Sequence, residues 1–357
     1  MSMCSRATAS MGRLLMHVAN EAAREVPWQP FFILGAPRSG TSLIARMLNS
    51  HSDIAVPDET KIFQTFAPLL PLYGDLRQPA RLQRLVADVV AWRWVRRLPS
   101  PPQYDAVLER VARPELGAVF EAVLSVWAEQ QGKACWGDKT PNNLYFWPII
   151  ETSFPRATIV HIVRDGRDVA LSQIKAPFGP KTIAAAAERW VGFVKRIRAI
   201  GERHGSNRYV EIRYEDLLAQ PHATITQVLQ LIGQPFDPAV LQFHMDARPV
   251  DTDPVNDANI QRPLKTENSG KWKSGVERRK IEIFESIGGA MLEECGYRRA
   301  TTASPISPIE RAMRRYVEHG PAKALAMLRN RSGIVWGLER LAIRRRLVVD
   351  HLRAWLT

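Results

Sequence analysis

Residues 31–47, FFILGAPRSGTSLIARM, constrain the fold more than any other stretch of the sequence. Phe31–Leu34 is a continuous apolar run that ends at Gly35, which is typical of a strand buried on both faces of a parallel sheet. Turn-forming residues follow, and apolar residues then recur at helical spacing from Leu43 onward. The pattern predicts a strand, a tight loop and a helix, an arrangement whose backbone N–H groups favour a bound phosphate or sulfate.

The loop lacks the lysine of nucleoside triphosphatases. Their P-loop reads G-x-x-x-x-G-K-[ST], whereas residues 35–42 read G-A-P-R-S-G-T-S, with Thr41 at the lysine position. The cation of this loop is Arg38 instead. We therefore expect an anion-binding loop, and the alternative, when the loop is taken alone, is an ordinary β–α turn.

Strand-like and helical patterns alternate along the chain. Residues 133–137, 158–163 and 209–212 are predicted to be strands. A helical pattern follows each of them, over about residues 141–154, 167–175 and 214–232. Such alternation predicts an α/β fold in which a parallel sheet is flanked by helices. Ligands of these folds bind at the carboxyl ends of the strands, where Lys139 and Arg164 are expected.

Charge and cysteine content narrow the class of protein. The net charge of +13 and pI near 10.0 suit a nucleic-acid or membrane partner, and equally an enzyme with anionic ligands. Cys4, Cys135 and Cys295 are scattered, so neither a disulfide framework nor a metal site is expected. With no apolar run near the roughly 20 residues of a spanning helix and no signal peptide pattern, we predict a cytoplasmic protein.

The chain divides into three predicted parts. Residues 1–27 form a leader without an assigned function, residues 28–300 the main domain, and residues 301–357 a basic, helical C-terminal extension after the linker-like TTASPISP. Apolar residues of the extension recur at helical spacing between arginines, at Ile334, Leu338, Leu341, Val348, Leu352 and Trp355. This stripe is predicted to dock on the domain, to mediate self-association or to contact an anionic membrane, and the first two are favoured.

Three segments together carry a resemblance to a known family: the loop at residues 38–42, VRDGRDVALS at 163–172 and GKWK at 270–273. In this combination the chain resembles, over about residues 31–276, the sulfotransferases that use 3′-phosphoadenosine 5′-phosphosulfate (PAPS). The resemblance implies a P-loop NTPase-like fold, PAPS as cofactor, adenosine 3′,5′-bisphosphate as product, no metal ion and no nucleic-acid partner. The acceptor would carry a hydroxyl group, on a small molecule, glycan, lipid or peptide.

The resemblance also assigns roles to residues. The 5′-phosphosulfate would be held by Arg38, Ser39, Gly40, Thr41 and Ser42. The 3′-phosphate would be held by Arg164 and Ser172, and the adenine side by Tyr214. The cofactor would be covered by Gly270, Lys271, Trp272 and Lys273, with Ser269 as a further hydrogen-bond donor. This chain lacks the Arg-Lys-Gly triplet that precedes these residues in cytosolic members. Independently of the family, a ligand with two anionic ends needs two cations, and Arg38 and Arg164 supply them unless Arg164 is a solvated turn residue.

The expected catalytic base follows one branch of the family. Cytosolic members carry it as the histidine of K-T-H, but residues 139–141 read K-T-P and proline cannot accept a proton. Tyrosylprotein sulfotransferases resemble the chain more closely, with an E-T-[KR] sequence that places the base on Glu59. Asp58 is the rival base, and Glu59 could instead cap the next helix. Arg38 and Lys139 would stabilise the transferred sulfonate.

Two other functions remain open from the sequence. A P-loop phosphotransferase would share the first strand and loop, but it is disfavoured by Thr41. A non-catalytic nucleotide-binding or anion-binding protein is the second alternative. Among the remaining polar residues, His161 is expected in the core, and Asp165 and Asp168 are expected to orient Arg164 or cap the following helix.

Overall fold

The computed structural model describes residues 29–245, 261–302, 306–313 and 319–356. The predicted leader, residues 1–27, lies outside this range. A five-stranded sheet is formed by β1 (Phe31–Leu34), β2 (Ile54–Ala55), β3 (Cys135–Asp138), β4 (Thr158–Val163) and β5 (Tyr209–Arg213). The strand order is β2-β3-β1-β4-β5, and every pairing is parallel.

Helices surround the sheet. Those before β4 are α1 (Thr41–Asn49), α2 (Ile62–Phe66), α3 (Leu70–Tyr73), α4 (Pro79–Val90), α5 (Arg93–Arg96), α6 (Tyr104–Arg110), α7 (Leu116–Gln130) and α8 (Trp147–Ser153). Those after β4 are α9 (Gly166–Lys175), α10 (Ile183–His204), α11 (Tyr214–Ala219), α12 (Pro221–Leu231), α13 (Arg278–Glu294), α14 (Pro308–Met313), α15 (Gly320–Arg329) and α16 (Arg331–Leu356). The predicted α/β fold with a parallel sheet flanked by helices is confirmed.

Both faces of the sheet are buried, which explains the continuous apolar run of β1. Phe32 and Leu34 belong to one hydrophobic cluster, whereas Phe31 and Ile33 belong to a second cluster on the opposite face. β1 pairs with β3 on one side and β4 on the other, so its carboxyl end lies between theirs. The loop after β1 therefore opens at the centre of the ligand-binding edge.

Some predicted boundaries differ from the structure for local reasons. The short edge strand β2 is not foreseen by the sequence analysis, because two residues are too few to show a periodicity. The helix expected over 141–154 begins as a 3-10 turn, Pro141–Phe146, before α8. The helix expected from Tyr214 to Ile232 is broken into α11 and α12, since Pro221 lacks the N–H that would continue it and instead begins α12.

The C-terminal helix α16 docks on the domain with a face that the sequence analysis does not single out. Trp336 and Ile343 pack against the first cluster and Leu347 is buried in it. Arg346 pairs with the buried carboxylate of Asp88. The predicted stripe residues Ile334, Leu338, Leu341 and Val348 are exposed instead, and the side chains of Leu352 and Trp355 lie outside the described ones. Within the described ranges, every helix is too short or too polar to cross a membrane.

Candidate active site

The loop between β1 and α1 has the backbone shape of an anion cradle. Gly40 has φ 101°, and a Cβ atom there would lie 2.5 Å from the ring of Tyr214, so glycine is required at this position. Arg38 also has a positive φ, 80°. No side chain among the described residues caps α1, and the first N–H groups of a helix have no intrahelical acceptor. These donors are therefore available to an anionic ligand at the loop.

Helix α9 braces this loop. The Nε of Arg38 donates to Ser172 Oγ at 2.9 Å, and Gln173 Nε2 donates to the carbonyl oxygen of Pro37 at 2.8 Å. Arg38 and Ser172, which the family resemblance assigns to opposite ends of the cofactor, are thus in direct contact. The two predicted anion sites are therefore adjacent.

Arg164 lies beside the same loop and is not a solvated turn residue, since its side chain is only 13% exposed. It donates to the carbonyl oxygens of Arg38 at 3.4 Å and Asn268 at 2.5 Å, and to Asp168 Oδ2 at 3.3 Å. Its guanidinium carbon lies 4.5 Å from the centre of the Tyr214 ring. The structure therefore places Arg164, Arg38 and Tyr214 around one site, with Asp168 orienting Arg164.

The segment that contains the predicted covering residues is anchored to α9. The backbone N–H of Trp272 donates to Asp168 Oδ1 at 2.9 Å, and its indole ring lies 3.5 Å from the guanidinium carbon of Arg167. Arg167 is itself buried in ion pairs with Asp165 at 2.7 Å and Glu285 at 2.6 Å. A buried pair of this kind holds the cation, and with it the indole, in a fixed position.

The outer parts of the covering segment are less constrained. Lys271 and Lys273 are exposed, and Lys271 Nζ donates to Asn268 Oδ1 at 3.1 Å. Ser269 Oγ donates to the carbonyl oxygen of Thr266 at 2.9 Å. Within this segment, Trp272 contacts α9 directly, through its backbone N–H and its indole ring.

Glu59 lies between two lysines. Its carboxylate oxygens are 3.7 Å from Lys139 Nζ and 3.5 Å from Lys61 Nζ, and its side chain is 30% exposed. Asp58, the rival base, is exposed. The alternative that Glu59 caps the next helix is wrong, because Lys61 occupies the N-cap of α2. Lys139 is only 2% exposed at the end of β3, so its ammonium group directs the carboxylate toward the carboxyl edge of the sheet.

A buried carboxyl group, Asp138, joins the two segments that carry Glu59 and Lys139. It accepts hydrogen bonds from Thr60 at 3.1 Å, from Thr140 at 3.3 Å and from Asn143 at 2.7 Å. Complete burial raises its pKa to about 6. No role for Asp138 is predicted from the sequence, because its partners lie as far away as Thr60 and only the fold brings them together.

Lys61 is also missed by the sequence analysis, although it stands in the E-T-K sequence around Glu59. Its Nζ lies 3.7 Å from the centre of the Trp94 ring, and burial lowers the pKa of its ammonium group. Like Arg38, it has a positive φ, 54°. The site thus has a second cation beside the expected base.

Two buried hydrogen-bond donors at the loop have no partner among the described residues: Ser39 Oγ in the loop and Arg164 Nε beside it. Buried donors of this kind are normally satisfied, so both indicate a ligand with hydrogen-bond acceptors. Together with the N-terminus of α1 and the guanidinium group of Arg38, they fit the two phosphate groups of a nucleotide such as PAPS.

A sequence model of the sulfotransferase family matches residues 30–238, which is more than half of the chain. The chain therefore belongs to the sulfotransferase family, and the resemblance stated from the three motifs is confirmed. It is 24% identical over 298 residues to the nodulation protein NoeE of Sinorhizobium fredii (strain NBRC 101917 / NGR234), covering 75% of this chain and 66% of NoeE. It is 23% identical over 284 residues to the protein-tyrosine sulfotransferase of Drosophila melanogaster, covering 77% of this chain and 52% of that protein. The chain thus spans less than two thirds of the length of these relatives.

A solved structure shares the fold. The sulfotransferase domain of the olefin synthase from Synechococcus PCC 7002 superposes with a TM-score of 0.52 at 21% identity, covering 74% of this chain and 96% of that domain. At this identity the similarity concerns the fold, and it confirms the predicted sulfotransferase architecture.

Proposed function

We propose that the protein transfers the sulfonate group of PAPS to a hydroxyl acceptor, with Glu59 as general base. The observation that carries the proposal is the convergence of the loop before α1, Arg164 and the Glu59–Lys139 pair at the carboxyl edge of one sheet. Family membership supports this reaction, and Thr41 in place of the Walker lysine disfavours nucleoside triphosphates.

The donor would be held by the loop and by α9. Loop N–H groups, Ser39 Oγ and Arg38 would bind the 5′ end, while Arg164 and Ser172 would bind the 3′-phosphate. The contact between Arg38 and Ser172 supports this assignment, because a single compact nucleotide would have its two anionic ends near each other. Trp272 would cover the nucleotide from its position on Arg167 and Asp168.

When bound, PAPS supplies the sulfonate group and departs as adenosine 3′,5′-bisphosphate. Glu59 would accept the proton of the acceptor hydroxyl, whose oxygen forms the new bond to sulfur as the bond to the departing phosphate oxygen breaks. Arg38 and Lys139 would stabilise negative charge on the sulfonate and departing oxygens during an in-line transfer. The hydrogen bond from Thr60 to Asp138 would hold the neighbouring residues Glu59 and Lys139 close to each other.

The acceptor would approach Glu59 from the side of α2 and α5, where Lys61 lies beside the carboxylate and Trp94 lies beside Lys61. One relative is named a protein-tyrosine sulfotransferase, so a tyrosine hydroxyl is one candidate acceptor. The residues 60–131 that surround this side contain no motif that selects between an alcohol and a phenol.

Calorimetric titration with adenosine 3′,5′-bisphosphate and with Mg-ATP tests the cofactor. We expect binding of the bisphosphate and weak or undetectable binding of Mg-ATP. Incubation with radiolabelled PAPS and a lysate of the host would then reveal labelled acceptors. Preferential binding of Mg-ATP would overturn the proposal in favour of a phosphotransferase, and bisphosphate binding without any transfer would favour a non-catalytic nucleotide-binding protein.

A further inference from the structure

An apolar row runs along the solvent-facing side of α16 and has no part in the proposed reaction. It is formed by Ile334, Val335, Leu338, Leu341, Val348 and Val349, all of them exposed; we call these residues the outer row. Leu338 and Leu341 are 60% and 59% exposed. At 3.6 residues per turn, the outer row lies about half a turn away from Trp336 and Ile343, so docking on the domain cannot cover it.

The charge around the outer row is positive. Arg344 and Arg345 are exposed on this side of the helix. Arg345 is four residues from Leu341 and from Val349, within the row itself. The acidic residue of α16 whose side chain is described, Glu339, is on the docked side, 3.6 Å from Arg93. The exposed face therefore combines apolar residues with arginines and, among its described side chains, has no carboxylate.

We propose that the outer row docks α16 on an anionic lipid membrane, with the helix axis parallel to the surface. Helices with an apolar face and basic residues bind in this way, because the apolar side chains enter the boundary of the acyl chains while arginines reach lipid phosphates. A second copy of the chain is a poorer occupant. A twofold interface would bring this face against itself and bury the arginines of both copies without a carboxylate to pair with.

The docked side of α16 lies next to elements of the proposed acceptor side. Trp336 Nε1 lies 3.5 Å from Thr65 Oγ1 on α2, and Glu339 faces Arg93, the neighbour of Trp94. Docking of α16 would thus hold the membrane surface about one helix diameter, roughly 10 Å, from α2 and α5. The acceptor hydroxyl would then lie at the membrane surface. This consequence rests on the proposed function, whereas the docking itself does not.

Vesicle co-sedimentation of the full chain tests the proposal, with vesicles of phosphatidylcholine alone and of phosphatidylcholine with phosphatidylglycerol. We expect the protein to sediment with the anionic vesicles and to dissociate as salt is raised. The double variant Leu338→Glu, Leu341→Glu should lose sedimentation. The double variant Arg344→Gln, Arg345→Gln should bind roughly 30-fold more weakly, since each arginine near an anionic surface contributes about a fivefold gain.

Matched controls are Met245→Glu and Arg278→Gln, which change an exposed apolar residue and an exposed arginine outside α16 and should sediment as the unmodified protein does. Equal sedimentation of the leucine variant, or no sedimentation of the unmodified protein, overturns the proposal. A dimer in light scattering that dissociates in the leucine variant assigns the outer row to a second copy and also overturns it. All variants should bind adenosine 3′,5′-bisphosphate equally; failure of every form to bind it would contradict the proposed function and leave the docking result standing.

Discussion

Replacing Glu59 with glutamine tests the assignment of the catalytic base. Glutamine keeps the shape of the side chain but cannot accept the hydroxyl proton, and general bases contribute about 10²- to 10⁴-fold to turnover. We expect kcat to fall by about 10²- to 10³-fold, which corresponds to roughly 3–4 kcal/mol of activation free energy. The groups proposed to bind the nucleotide are the loop, Arg164 and Ser172, so bisphosphate affinity should be retained when Glu59 is replaced.

The cost in stability should be much smaller than the cost in rate. Glu59 is 30% exposed, so water screens its pairs with Lys139 and Lys61. We expect a loss of about 1 kcal/mol in the free energy of unfolding, or a Tm lowered by about 2–4 °C. A folded variant with weak turnover is therefore the expected result.

The assay is the initial rate of sulfonate transfer from radiolabelled PAPS to an acceptor in host lysate, alongside bisphosphate calorimetry and thermal unfolding. Asp58→Asn is the matched control, because Asp58 is the adjacent, exposed carboxylate and should leave the rate unchanged. Normal turnover by Glu59→Gln would refute the reasoning and move the base to another residue. A loss of bisphosphate binding equal to the loss of rate would instead show that Glu59 acts on the nucleotide site.

Three further changes test other parts of the site. Arg164→Ala should weaken binding of adenosine 3′,5′-bisphosphate by about 10-fold or more in calorimetry, since a charged hydrogen bond contributes about 1.5–3 kcal/mol. Gly40→Ala should abolish bisphosphate binding in the same titration, because its positive φ and the Tyr214 ring at 2.5 Å leave no room for a Cβ atom. Asp138→Asn should remove a pH dependence of the free energy of unfolding. Burial raises the pKa of Asp138 to about 6 from 3.8, so the folded protein binds a proton more tightly than the unfolded chain does. The stabilisation from this proton is fully present below about pH 4 and is lost as the pH rises through 6. Urea unfolding at stepped pH should show the unmodified protein losing about 3 kcal/mol relative to the variant over this window.

Each of these changes has its own control or contradicting result. Arg156→Ala removes an exposed arginine before β4, at the opposite edge of the sheet, and should leave bisphosphate affinity unchanged. Binding by Gly40→Ala at full affinity would show that the loop adapts. The protein can accommodate the amide introduced by Asp138→Asn. Asn143 Oδ1 is buried without a partner among the described residues, and a flip of the Asn143 amide would let this oxygen accept a hydrogen bond from the new amide. Parallel pH profiles for the two proteins would contradict the raised pKa.

The strands and the cradle could be predicted because the signals are local. Phe31–Leu34 and Thr158–Val163 are buried along their whole length. The first is therefore a continuous apolar run, the second is apolar except at Thr158 and His161, and turn residues directly follow each. Gly40 lies in the motif of residues 35–42, whose spacing predicts an anion-binding loop. By contrast, the contact of Arg38 with Ser172 and the hydrogen bonds of Asp138 join residues far apart in sequence, and no periodicity records them.

The C-terminal helix shows the limit of periodicity in another way. Ile334, Leu341 and Val348 recur every seven residues, which predicts the face that docks or self-associates. The docked face instead carries Leu347, which is buried, and Trp336 and Ile343, which are partly buried. A helix with two apolar faces satisfies the same pattern twice. The choice between them depends on the groups that meet the helix, and here the carboxylate of Asp88 meets Arg346 and fixes the rotation.

Backbone conformation adds an argument that the proposed reaction depends on the placement of cations. Arg38, with φ 80°, and Lys61, with φ 54°, are two of the three non-glycine residues with positive φ in the described part of the chain. Each such residue costs of order 1 kcal/mol or more, and such strain concentrates at functional sites. Both residues precede a helix that follows a strand, and both direct a cation toward the carboxyl edge of the sheet. Glycine would relieve the strain at either position but would remove the charge, so the fold retains strained backbone where the transferred anionic group would meet the protein.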